Sequence, residues 1–202
     1  MSYFLAVNGK IILPCLLMVV LAVGRWPGLM PENFSAVYAM AFCAGLYFPG
    51  RLIALPAITI LASDILINVF YYRVTPFSVW MLPNYAAYAA IFWLGREWGA
   101  RRSWLMLVGG GLIGAILFYL VTNTTAWLQL PYDKTLGGWI QALTVGLPNF
   151  PHTWEFFRNT LLSGGLFTGL FTGAMKLSEP AEASDGAEEP AETEEQPADE
   201  VA

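Results

Sequence analysis

Asp64 stands where a carboxylate is hard to keep. It is the only acid between Asn33 and Tyr72, and long apolar runs flank it on both sides. An ionisable group set deep in hydrocarbon costs about 3 kcal/mol, so the default is that it faces protein or trapped water and has a task. Asn68 follows four residues later and shares the same helix face. Further amides stand at the ends of neighbouring apolar segments: Asn33, Asn84, Asn123 and Asn159, with Trp127 and Arg158 beside them. Amides in lipid need partners, so these side chains are expected to converge on one another or on a ligand. Few polar anchors among aromatic walls suit a small organic molecule, with Tyr71, Tyr72, Trp80, Tyr85 and Trp127 expected near the mouth. The plainer alternative is that Asp64 pairs with Arg158 and the asparagines only tie helices together.

Catalysis finds little material, and the chain is read as a non-enzyme. His152 is the only histidine and sits in a loop after Pro151. No His, Cys and carboxylate cluster has metal-ligand spacing, so no metal or cofactor is expected. Ser163-Gly164-Gly165 follows no strand and is no nucleophile elbow. The glycines from Gly109 to Gly114 lack the Lys-Ser/Thr ending of a phosphate loop.

The elements that would position these groups are apolar helices. The 202-residue chain is 56% hydrophobic and 12% charged. That is the composition of a membrane protein. A bilayer core of roughly 30 Å needs about 20 apolar residues as a helix. The hydropathy pattern predicts an all-α, polytopic bundle of about six spans in one domain, 1–177. The spans are expected near 4–24, 31–48, 52–72, 76–94, 104–127 and 156–177. The first resembles a signal-peptide core but is read as retained. Pro31 suits the first turn of the second. Between the fifth and sixth, residues 129–155 form a long loop. Within it Thr135–Leu147 has helical spacing and is expected at the surface or as a lid. Gly165, Gly169 and Gly173 recur every four residues and predict a helix-packing stripe, internal rather than a docking face. Cys15 and Cys43 lie in apolar runs and are read as inert.

Charge divides the chain in two. Residues 178–202 hold ten of the fifteen acids and no base, so this tail is expected to be disordered. The remainder carries ten Lys/Arg against five acids, an excess that suits anionic lipid and shows no nucleic-acid face. Six bases on the side of the termini against four on the other favour cytoplasmic termini.

Four patches together resemble a known group. They are Asn33-Phe34-Ser35, Ser63-Asp64, Thr122-Asn123 and the run Phe156-Phe157-Arg158-Asn159-Thr160-Leu161-Leu162. Over about residues 30–177 they resemble an uncharacterised bacterial six-span family. That family is in turn distantly similar to the substrate-binding S components of energy-coupling-factor (ECF) vitamin transporters. The resemblance implies an inner-membrane protein with a small ligand near the outer face and a membrane coupling subunit as partner. The function expected is a membrane-embedded, nutrient-binding component of a transporter. The alternative is a structural or assembly subunit of a larger membrane complex.

Overall fold

The computed structural model describes residues 16–48, 52–100 and 102–177. The first half of the predicted first span, residues 49–51, residue 101 and the acidic tail lie outside the described residues. Every regular element among the described residues is helical.

Seven helices follow in order. They are α1 (residues 16–24), α2 (Val37–Tyr47), α3 (Ala54–Leu66), α4 (Leu82–Trp98), α5 (Trp104–Gln129), α6 (Leu136–Leu143) and α7 (Thr153–Leu177). α3 runs without a break into a π-helical turn, Ile67–Tyr72, and a 3-10 turn, Val79–Met81, leads into α4. Pro83 sits in the first turn of α4, where its missing N–H costs nothing. Ser103 caps α5 through Met106 N, and Thr135 caps α6 through Gly138 N. Glu155 in the first turn of α7 and Lys176 in its last complement the helix dipole.

α2 is the centre of the bundle. Its sequence, VYAMAFCAGLY, is apolar all round, and every residue from Val37 to Gly45 is buried. Helices α4, α5 and α7 pack around it, and α5 also packs along α7. The contact with α4 is backbone on backbone. A Cβ on Gly45 would collide with Phe92 O, and one on Gly95 would collide with Phe42 O. Only glycine permits that approach. Gly111 leaves room for the Thr168 side chain, joining α5 to α7.

Among the described residues two helices are long and apolar enough to cross a membrane by length and composition: Ala54–Tyr72, of 19 residues, and Trp104–Gln129, of 26. They point to membrane association. The other predicted spans are shorter or more polar over their described residues. α2 has 11 residues. At about 1.5 Å per residue it reaches only roughly 16 Å. It begins at Val37, not Pro31, because Asn33 takes a left-handed φ of 59° and turns the chain before the helix starts. Leu55, Ile58, Leu61, Leu66 and Phe70 on α3 and its π turn remain exposed, an apolar face turned away from the bundle.

α6 lies across the end of α5. Trp139 Nε1 donates to Thr124 Oγ1 at 3.0 Å, and Tyr119 OH donates to Leu143 O at 2.5 Å. Its exposed Leu136 and Ile140 and buried Gly138 and Ala142 fit the amphipathic helix expected there.

Candidate functional site

The charged centre of the molecule joins α1, α3 and α4. Asp64 Oδ1 accepts a hydrogen bond from Arg25 Nη2, and Asp64 Oδ2 accepts one from Tyr85 OH at 2.6 Å. Arg25 Nη1 donates to Ser63 Oγ at 2.7 Å and to Ile60 O at 3.1 Å. The Arg25 and Asp64 side chains keep only 12% and 18% of their surface exposed. The cation that neutralises Asp64 is therefore Arg25, at the end of α1, and not Arg158. Ser63 is drawn into the same group and donates its own proton to Ile60 O at 2.8 Å. Both carboxylate oxygens and both terminal guanidinium nitrogens are thus engaged, which is what keeps such a pair tolerable in a low-dielectric setting.

A cavity of about 970 Å³ opens beside this group, at the end of the bundle where α1 and α3 finish and α2 and α4 begin. Its wall combines the loop between α1 and α2, the π turn after α3, the first turns of α4, and Phe118 of α5. The π turn matters to its shape. A π-helical turn closes i→i+5 hydrogen bonds and is wider than an α turn. Ile67, Asn68, Tyr71 and Tyr72 all reach the cavity from it, and Arg73 then ends the helix at a left-handed φ of 56°.

Aromatic rings form much of the lining. Trp26 meets Tyr71 edge-on with centroids 6.1 Å apart. Tyr88 stacks on Phe118 at 5.5 Å, and Tyr38 leans on the same ring at 4.5 Å. Among them stands Asn84, whose side chain makes no hydrogen bond among the described residues. A part-exposed amide that no described residue engages, set beside ring faces, is a place for a ligand to bond.

Of the eight predicted ligand-binding residues, four line this cavity: Asn33, Asp64, Asn68 and Asn84. Asn68 Nδ2 is turned to Pro76 O at 3.2 Å, so its donor shapes the turn before α4. The other four are used elsewhere. Asn123 Nδ2 bonds back to Tyr119 O of its own helix at 2.9 Å. Trp127 Nε1 donates to Asp133 O at 2.8 Å and fastens the loop after α5. Arg158 Nε donates to Asn159 Oδ1 at 3.4 Å, with its guanidinium over the Trp154 ring. Asn159 Nδ2 donates to Glu32 O at 2.9 Å, so it anchors the cavity's loop without lining the space. Asn123, Trp127 and Arg158 are held by partners close in sequence, and Asn159 by a carbonyl of the loop before α2.

Two further expectations change. Residues 129–155 contribute nothing to the lining, and the cover of the cavity is the loop from Arg25 to Ser35. Trp80 does not line it either, and Tyr85 acts through Asp64. Sequence reasoning missed Arg25, Trp26, Tyr38 and Tyr88. The signal that could have found Arg25 is its place as the first base after an apolar run ending at the same end as Asp64.

The profile of a family of unknown function, DUF6580, matches residues 6–185. The chain belongs to the DUF6580 family. The DUF6580 match takes in every helix that builds the cavity, so site and family region coincide. No curated protein and no solved structure matches the chain.

The stripe of Gly165, Gly169 and Gly173 on α7 faces α5. Added Cβ atoms would stand 3.2 Å from Leu112 Cδ2, 3.3 Å from Trp104 Cζ2 and 3.8 Å from Trp104 Nε1 respectively. The stripe is an internal contact. His152 Nδ1 is hydrogen-bonded with Val145 O at 3.2 Å and holds the loop between α6 and α7. Among the described residues no three His, Cys, Asp or Glu side chains are grouped to hold a metal.

Proposed function

We propose that this protein is the membrane-embedded, small-molecule-binding component of a transporter for a vitamin-like nutrient. The observation that carries the reading is the cavity at one end of the bundle. It joins aromatic walls to the free amide of Asn84 and lies beside the neutralised Arg25–Asp64 pair. Its volume falls within the range of pockets that hold small organic ligands, about 300–1,000 Å³. On this reading the six apolar segments cross a bacterial inner membrane with both termini in the cytoplasm. The cavity then opens outward, in the manner of the ECF S components the sequence resembles. Binding here requires no reaction at the site, and a coupling subunit in the membrane would supply the energy.

The rival reading is a structural or assembly subunit. It draws support from the exposed apolar face of α3, which a partner helix could cover as well as lipid. The glycine stripe of α7 does not support it, because α5 occupies that face.

Thermal unfolding of the intact protein in mild detergent, against a library of vitamin-like compounds, separates the two. At least one compound should raise Tm, and Asp64→Asn should diminish the rise. A library without a single stabilising compound, together with a silent Asp64→Asn, would end the transporter reading.

A further inference from the structure

The cavity's charges restrict what it can hold. Resting on the reading of the cavity as a binding site, we infer that its ligand is a planar organic cation. Arg25 is the only base on the lining among the described residues, and both its terminal nitrogens already donate to Asp64, Ser63 and Ile60. Asp64 is engaged in turn by Arg25 and Tyr85. An anion entering the cavity therefore meets no free cation among the described residues. Neither Arg73, which follows Tyr72, nor Arg158, which lies over Trp154 and bonds Asn159, is on the lining.

The charge left over is negative. Glu32 lies on the lining and is exposed, and its carboxylate forms no ion pair among the described residues. Its backbone carbonyl is held by Asn159, which fixes the residue at the rim. The rings of Trp26, Tyr38, Tyr71, Tyr72 and Tyr88 add faces that attract cations through their quadrupoles and accept a flat molecule by stacking. Asn84 supplies donors and an acceptor that the described residues leave unused. A flat ring with a positive charge and an amide-complementary edge satisfies all three features. The negative charge of a carboxylate or phosphate is opposed by Glu32 and by the ring faces.

The test uses three ring compounds of nearly one shape and different charge: 1-methylnicotinamide (cationic), nicotinamide (neutral) and nicotinate (anionic). Each is titrated against the intact protein in lipid nanodiscs, by equilibrium dialysis and by thermal shift. The cation should bind about 10-fold tighter than nicotinate, the scale of one cation–ring contact with a nearby carboxylate. Glu32→Gln should shrink that ratio by the carboxylate's share and leave the smaller preference due to the ring faces, with the unliganded Tm in place, because the Asn159 contact uses the Glu32 backbone. Nicotinate binding as tightly as the cation, or a ratio indifferent to Glu32→Gln, would overturn the charge inference and leave the cavity as a binding site. Absence of binding by all three compounds, with the wider library silent as well, would overturn the inference and the binding reading together.

Discussion

Where α2 crosses α4, Gly45 and Gly95 let two backbones touch; where α1 meets α3, a guanidinium and a carboxylate bridge the helices through side chains. The two contacts lie at opposite ends of one bundle. At the glycine end the packing is tight, and Phe42, Ile91 and Leu107 are wholly buried. At the other end the side chains are large, aromatic and polar, and a cavity of about 970 Å³ remains between them. Close packing by small residues gives dispersion contact over the whole interface and a single geometry. An ion pair with two hydroxyl partners fixes a few atoms and leaves room around them. The lesson is a division of labour: the rigid end fixes the helix directions, and the loose end can then tolerate a hole.

The largest blow to this contrast should come from Gly95→Val. Its Cβ would overlap the Phe42 carbonyl oxygen, a backbone atom that has nowhere to go. A cost of about 3 kcal/mol or more is expected, seen as a large drop in Tm or in the yield of folded protein in detergent. A mild effect would mean that the glycine end is not the rigid one.

Next comes Asp64→Asn. It leaves Arg25 without its counter-charge in a setting that is mostly but not wholly buried. The expected loss is about 2 kcal/mol. The double variant Arg25→Met with Asp64→Leu should lose clearly less than the two single variants summed. Additive losses would show that the pair is not coupled.

Asn84→Ala should divide stability from binding. Its amide holds nothing among the described residues. Stability should therefore move by no more than about 0.5 kcal/mol, read from Tm, while ligand affinity falls about 10-fold. Equal affinity for the variant would remove Asn84 from the site.

The smallest effect is expected from Gly173→Ala. A Cβ there meets only Trp104 Nε1, at an ordinary 3.8 Å. Alanine favours the helix by about 0.5–1 kcal/mol over glycine. A modest rise in Tm is the expected readout. A fall would place Gly173 in the tightly packed class with Gly95.

Much of the fold could be read from residue order. Apolar runs broken by Gly, Pro and charged residues marked α3, α4, α5 and α7, each to within two helical turns of its observed limits. The amphipathic spacing of Leu136, Ile140 and Leu143 marked α6. What could not be read was any contact remote in sequence. Arg25 and Asp64 are 39 residues apart, and nothing in either segment names the other. The π turn was equally hidden, since INVFYY is as compatible with an α-helix as with the wider turn it adopts. Asn123 and Asn159 show the converse failure. Their type suggested a ligand, but a nearby carbonyl satisfied each of them first.

By itself, the order of residues determined the helical class, because apolar runs of this length can satisfy their backbone only as helices in a low-dielectric setting. It also determined that Asp64 must have a partner, because an unpaired carboxylate among apolar residues is too costly to persist. Tertiary structure alone decided that the partner is Arg25, that Tyr85 holds the second oxygen, and which amides are left over. Those outcomes depend on which helix ends meet in space, and the packing of α2 against α4 and of α5 against α7 sets that meeting.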